Sequence, residues 1–541
     1  MQINYSDIPG NQNLFLDYIS EFENVSTFYS KDFRNNDDLE KTFEELINYD
    51  RPHRREISEI IKKQYSNYKI SKQTESNISS LASEKTFTIV TGQQVSLFGG
   101  PLYTIYKTIT AIKLARLLKE KYSDYSFVPL FWMEVDDHDF DEVASINIFD
   151  KENKYRTLNY DDGQEEETNR GSVGNIKFNS SIKFTLDDLN DALRDNEFKD
   201  EILLLLQECY QEGKTFKTAF KELFIKLFDE YGLIIFDPQD SLVKNILLPI
   251  FEKEINDFET HTTTNVLKSA ELEEVYHAQV KVKPVNLFYS DETGRHLVEP
   301  IEGEFRFKGR RKRLNKEELL NLLYFDPSSF SPNVLLRPIC QDYLLPTAAY
   351  VGGSSEISYF AQVMPNYKFF DVVSPIIFPR SSGTIIESHL FSIIEKYSLS
   401  LPDFYIDKNI LVEKVVKIVS EINFDDLFQK SETEINTTLN LLKESLLSVD
   451  TSLLQPIEKS IARIEQTLNT LKEKSKGAEG RKHKTLITQL EKVRNAVYPN
   501  ENLQEREINF FYFANKYGLD IIKWIMNELN TYKIEHQVIE L

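Results

Sequence analysis

The stretch from Glu84 to Val135 limits the fold more than any other part of the chain. A β-rich run, TFTIVTG, passes through a Gly/Gln loop, QQVSLFGG, into PLYTIYKTITAIKLARLLKEKY, and SFVPLFWMEV follows at once. Pro101 suits a first helical position, and Leu102, Ile105, Ile109, Ile112 and Leu117 recur at helical spacing. The order is strand, loop, helix, strand. Strands joined this way run parallel with a right-handed crossover and are buried on both faces. YGLIIFDP (231–238) and FFDVVSPIIFPR (369–380) read as further strands with helical segments between them, so an α/β core with a parallel sheet is expected.

A chain of 541 residues has room for three or four domain-sized units. Residues 1–383 read as the α/β core, with a polar, acidic and then helical insertion at about 151–230 expected to shape one wall of the pocket. From about 384 to 500 the character changes to long polar helices. Ile435, Leu439, Leu442, Leu446, Val449 and Leu453 form a heptad seam that Asp450 and Pro456 should interrupt. Ile457, Ile461, Ile464, Leu468 and Leu471 form a second, and Leu486, Leu490, Val493 and Val497 a third. An antiparallel helical coiled-coil arm is the expectation, either supplying a dimer contact or burying its stripes within one chain. Residues 501–541 read as a C-terminal helical segment packing back on the core.

Acidic residues number 86 against 64 basic ones, a net charge of −22 that disfavours broad nucleic-acid binding while allowing a local basic pocket. Two cysteines, Cys209 and Cys340, exclude a disulfide framework and a Cys-based zinc cluster, which fits a reducing cytoplasm. The N-terminal residues lack the pattern of a secretory signal. The most apolar stretch, Phe127 to Val135, is about half of the roughly 20 residues a bilayer-spanning helix needs, so no membrane partner is expected.

Three motifs are candidates for chemistry. In TGQQVSLFGGPLYTIYK, the loop with Gly92, Gln93, Gln94, Gly99 and Gly100 opens a helix after a buried strand, a geometry that offers unpaired N–H groups to an anion; Tyr103 and Lys107 follow on the helix. The spacing is neither a P-loop nor the dinucleotide fingerprint, and a purely structural turn is the alternative. In EVDDHDFDEV, Asp137, Asp139 and Asp141 would share one face of a continued strand, with His138 on the other. They are candidates for a general base, an ammonium clamp or Mg²⁺ ligation, or else the acids cap the next helix and His138 is an interior histidine. The third, residues 335–362, is neither a repetitive helix nor a clear strand. It concentrates Arg337, Gln341, Asp342, Tyr343 and Glu356 around a second glycine turn, Gly352–Gly353. Arg337 and Arg380 suit bidentate contact with a carboxylate or phosphate, with surface ion pairing as the alternative. Cys340 reads as a packed small residue, and the GRKHKT cluster at 480–485 as a solvated helix start.

Taken together, VTGQQ with GGPLYTIYK, PLFWMEVDDHDFDEV, LRPICQDYLLPTAAYVGG with EISYFAQ, and RKHKTLITQLEKVRNAVYPNENLQER resemble the BshC family, the cysteine-adding enzymes of bacillithiol biosynthesis. The resemblance runs from the N-terminal region to the last helix, with Cys340 as a departure. It implies a Rossmann-like core with inserted connecting segments, similar to class I aminoacyl-tRNA synthetases, plus a coiled-coil domain that makes a homodimer. It also implies a ligase that joins L-cysteine through its carboxyl group to the amine of glucosaminyl-malate. ATP or another nucleotide is the expected source of activation, with Mg²⁺ as a possible companion. On an adenylate route the Gly92–Pro101 turn and Lys107, helped by Arg337 or Arg380, would hold phosphate. One of Asp137, His138, Asp139 and Asp141 would take the amine proton, and Asp342 or Glu356 would bind the cysteine ammonium. Substitution of His138 or Asp139 is then expected to abolish turnover. Another nucleotide-dependent ligase or nucleotidyltransferase on the same core, or a non-catalytic coiled-coil scaffold, are the rival readings.

Overall fold

TFTIVTGQQ forms a strand because its β-branched and aromatic side chains bury on both faces, and SFVPLFWME does the same beside it. The computed structural model describes residues 2–419, 424–482 and 484–541. In it, β1 (Thr86–Gln94) leads through a tight turn into α1 (Leu102–Lys121) and returns as β2 (Ser126–Glu134), in parallel register from Thr86↔Ser126 to Gln94↔Glu134. Helix α2 (Phe216–Phe228) precedes β3 (Ile234–Phe236), and α3 (Leu248–Glu273) follows it. The chain then forms α4 (Arg337–Leu344), β4 (Thr347–Gly352), α5 (Ser354–Phe370) and β5 (Ile376–Pro379).

These five parallel strands lie in the order β5-β4-β1-β2-β3. The order reverses direction between β1 and β4, the doubly wound arrangement of a Rossmann-like sheet, and the crevice beyond the strand ends at that reversal is where such sheets bind ligands. The 335–362 run, expected to be irregular, is therefore regular helix, strand and helix, and it supplies the strand on the far side of the crevice. Of the 369–380 stretch only Ile376–Pro379 is strand; Phe369 and Phe370 end α5.

Four N-terminal helices between Asn13 and Ser80 pack on the sheet. Phe43 stacks on Phe87 with ring centroids 5.0 Å apart, and Tyr18 donates to Ile377 O at 2.6 Å. The 151–230 insertion contributes a strand and three helices. It does not line the crevice as expected, because it lies behind it. Val173 N and Gly174 N donate to Asp137 O (2.7 Å) and Val135 O (3.0 Å), bracing that backbone from the rear. The crevice wall comes instead from a five-stranded sheet between Leu287 and Pro332, antiparallel throughout.

The chain divides into two units. One comprises Met1–Thr384 together with Leu503–Ile539, and the other Ile385–Asn502 with the last two residues. In the second unit, helix Phe424–Leu447 packs against helix Leu454–Lys482. Lys443–Glu458 (2.9 Å) at one end and Lys476–Asp425 (3.0 Å) at the other show the pair to be antiparallel. Asp450 caps the turn between them, and Pro456 sits in the first turn of the second helix, where a missing N–H costs nothing. Leu486, Leu490, Val493 and Val497 are buried within this unit, whereas Leu442, Ile464 and Leu471 of the paired helices, and Val449 in the turn between them, stay exposed. Within the GRKHKT cluster, His483 lies outside the described residues. No helix among the described residues is long and apolar enough to cross a membrane.

Candidate active site

The carboxyl ends of β1, β2 and β4 open into one cavity of about 570 Å³. Gly92 to Gln94 form its floor. Gly92 is required there, since a Cβ would come within 2.9 Å of Trp132 O. Lys107, in the second turn of α1, is buried and reaches up to donate to Gly92 O and Gln93 Oε1, both at 2.9 Å, and it ion-pairs with Glu356. Glu356 also accepts from Gly353 N (2.8 Å) and Tyr350 OH (2.6 Å). Burial pushes the Lys107 ammonium down from its usual range. The Glu356 carboxyl, although buried, is held below its usual range by that lysine.

Glu134, the last residue of β2, lines the cavity. Arg337 Nε meets its Oε1 at 3.0 Å. The guanidinium is fixed by Gln341 Oε1 (2.9 Å) and Tyr359 OH (3.2 Å). Burial, with Asp137 and Glu356 nearby, outweighs the arginine and lifts the Glu134 carboxyl to about 7. A group poised there can take a proton near neutral pH.

Beyond the end of β2, Asp136 accepts from the buried Lys244 and from Gln239, each at 2.9 Å. Asp137 accepts from Gln94 Nε2 (2.6 Å) and from His138 N (2.6 Å). Its burial is outweighed by the His138 and Gln94 hydrogen bonds, and its carboxyl stays ionised well below the usual range. His138 is exposed rather than interior, with Nδ1 3.4 Å from Arg295, whose guanidinium lies 3.7 Å over the Phe288 ring.

The structure thus gathers Gly92, Gln93, Gln94, Tyr103, Lys107, Asp137, His138, Arg337, Gly353, Glu356 and Arg380 around one cavity. It separates the others. Asp139 and Asp141 are exposed and do not line it, because the strand ends at Glu134 and Asp139 caps a short helix by accepting from Glu142 N at 3.1 Å. Gly99 and Gly100 form a buried turn with positive φ, packed on Leu223, Phe224 and Ser96, so they present nothing to a phosphate. Asp342 is an internal strut, bonded to Tyr367 OH (2.5 Å) and Gln341 Nε2 (2.8 Å), and burial raises its carboxyl to about 6. It is not available to a substrate ammonium. Gln341, Tyr343 and Gly352 likewise do not line the cavity. Cys340 lines it but is fully buried, with its thiol pushed up by burial, which opposes nucleophilic use.

Sequence reasoning missed Glu134, Lys244, Arg295 and Arg506. The one available signal was Glu134 itself, a carboxylate closing an otherwise apolar strand. Arg380 is held by Glu505 at 2.6 Å, a residue also bonded to Ser382 Oγ (2.9 Å) and Gly383 N (2.9 Å), so the segment after residue 502 helps build the site.

Two family models cover the chain: the BshC N-terminal Rossmann-like domain over residues 1–381, and the BshC C-terminal coiled-coil domain over residues 383–541. A protein of Salinibacter ruber is 34% identical over 533 residues, 97% of this chain and 96% of that protein. One of Chlorobaculum tepidum is 35% identical over 561 aligned positions, 98% and 97% of the two chains, and one of Flavobacterium psychrophilum is 29% identical over 99% of both. All three carry the name "Putative cysteine ligase BshC". The chain belongs to the BshC family of bacillithiol biosynthesis.

Proposed function

We propose that this chain joins L-cysteine, through its carboxyl group, to the amine of glucosaminyl-malate, the last step of bacillithiol formation. Family membership supports the reaction class. The observation that carries the reading is the cavity's division of labour: a carboxyl titrating near 7 at Glu134, an ionised carboxylate at Asp137, and the cations Arg506, Lys281 and Lys283 on the same lining.

Amide formation needs a leaving group on the cysteine carboxyl carbon and an uncharged amine. Glu134 takes the proton of the acceptor amine as the C–N bond forms and the C–O bond breaks. Asp137, ionised throughout, suits the cysteine ammonium. Lys107 stays neutralised by Glu356 and fixes the Gly92–Gln93 floor, so it positions rather than binds. A nucleoside triphosphate, when bound, supplies the group that turns the cysteine carboxylate oxygen into a leaving group. Because the Gly99–Gly100 turn is closed, its phosphates would be held by cations elsewhere on the cavity lining, where Arg506 and Lys283 stand. Among the described residues no three His, Cys, Asp or Glu side chains converge to hold a metal ion.

The exposed Leu442, Ile464 and Leu471 on the paired helices support a homodimer formed through the coiled coil. A cytoplasmic enzyme acting on small molecules is consistent with the two buried, free cysteines.

Purified protein supplied with cysteine, glucosaminyl-malate and ATP, read by mass spectrometry, tests the reading. The expected result is the thiol product with AMP for a nucleotidyl route or ADP for a phosphoryl route. No product when both substrates are seen to bind would overturn it.

A further inference from the structure

In sheets of this strand order an anion ordinarily sits on the first turn of the helix that follows the first strand. Here that end of α1 is closed by the chain itself. Leu102 N donates to Ile508 O at 2.9 Å, and the buried Asn509 donates through Nδ2 to the carbonyls of Phe98 (3.0 Å) and Gly100 (2.6 Å). A bridge between Pro101 and Asn509 completes the plug.

The residues just before the plug have a different part. Arg506 lines the cavity and donates to Ser354 Oγ, at the start of α5, at 3.0 Å. Lys281 and Lys283 line the same cavity. Their loop is held to α5 because Val280 exchanges two backbone hydrogen bonds with the Gln362 side chain, at 2.9 and 2.8 Å. Four other cations at this cavity are neutralised in place: Lys107 by Glu356, Lys244 by Asp136, Arg337 by the ionised form of Glu134, Arg380 by Glu505. Arg295, also on its lining, is tied to Ser331 Oγ (3.1 Å) and Pro332 O (3.0 Å) in the field of Asp136 and Asp137. Among the described residues Arg506, Lys281 and Lys283 have no such carboxylate. Three uncompensated positive charges on one side of a concave site, in a protein of net charge −22, form a focused field for an anion.

We propose that residues 503–509 relocate the anion seat of this core from α1 to α5, where the Arg506 guanidinium, Lys283 and the backbone N–H groups of Ser354 and Ser355 bind a substrate oxyanion. The inference rests on the proposed function, in which two substrates carry such a group: the malyl carboxylates of the acceptor and the phosphates of the nucleotide.

Full-length Arg506→Ala and Lys283→Ala variants are titrated by calorimetry with glucosaminyl-malate and, separately, with ATP, and KM for each is measured. Affinity for at least one of the two is expected to fall about tenfold or more in both variants, with kcat changed less than KM. The ligand affected identifies the source of the anion. Arg506→Lys, which keeps the charge but loses the fork, covers an Ala variant that does not fold. Affinities for both ligands within about twofold of wild type would overturn the proposal. Calorimetry needs no turnover, so a chain that binds the anion here without ligating would sink the proposed function and leave this seat standing.

Discussion

Replacing Glu134 by Gln keeps the volume and one hydrogen-bond acceptor toward Arg337, and removes the proton acceptor. The loss expected in kcat/KM is that of a positioned general base, about 10²- to 10⁴-fold. The pH dependence carries a sharper sign. The Glu134 carboxyl is raised from 4.5 to about 7 in the fold, so wild-type activity rises as pH passes through about 7 and this proton is lost. The acceptor amine titrates nearby, so the diagnostic is the difference between the two profiles, in which the Glu134 limb is absent from the variant. Stability moves in the opposite sense. Below 4.5 the carboxyl is protonated in both folded and unfolded chains. Between 4.5 and about 7 only the unfolded chain ionises, so stability falls with rising pH, by up to about 3 kcal/mol and less for a side chain one quarter exposed. The variant lacks this loss, so its melting temperature relative to wild type increases from about pH 5 to pH 8. Stopped assays from pH 5.5 to 9, with calorimetric melts on the same samples, measure both. A variant retaining more than about a third of wild-type kcat/KM, or keeping the limb near 7, would refute the assignment.

Asp139→Asn should keep turnover within about threefold, because the side chain caps a short helix outside the cavity and Asn caps as well as Asp; steady-state kinetics check this. Arg380→Ala strands the buried Glu505 carboxylate and should cost about 3–5 kcal/mol near neutral pH. Glu505 is held below its usual range by Arg380 despite its burial. That contribution is present above the unfolded pKa and fades as pH falls through the lower folded value, so denaturant melts should show a smaller penalty in acid. Leu442→Asp with Leu471→Asp should shift sedimentation from dimer to monomer without lowering helix content, and an unchanged sedimentation coefficient would contradict the dimer contact.

The β1-α1-β2 unit was legible because TFTIVTG and SFVPLFWMEV are buried on both faces and α1 carries a helical apolar repeat between them, all within fifty residues. The placement of Gly92 and Asp137 beyond the same sheet edge followed from that topology. Of the two readings open for Gly99 and Gly100, the sequence could not favour the closed structural turn, because what closes it, Ile508 and Asn509, lies some four hundred residues away. The acidic run was half legible: alternation assumes a strand that continues, but the chain turns at Val135, turning Asp137 inward and releasing Asp139 and Asp141 to solvent. The 335–362 run hid its order because β4 is short and central, with no alternation to show, and the helices on either side carry the polar groups of the site. Glu134 was passed over because a single carboxylate at a strand end resembles an ordinary boundary residue until Arg337, from a distant helix, is placed against it.

The most direct measurement is a crystal structure of the protein with glucosaminyl-malate bound. The sugar amine is expected within about 2.6–3.2 Å of the Glu134 carboxylate, inside the cavity between β1 and β4. An amine seated away from Glu134, or an acceptor bound outside that cavity altogether, would contradict this placement.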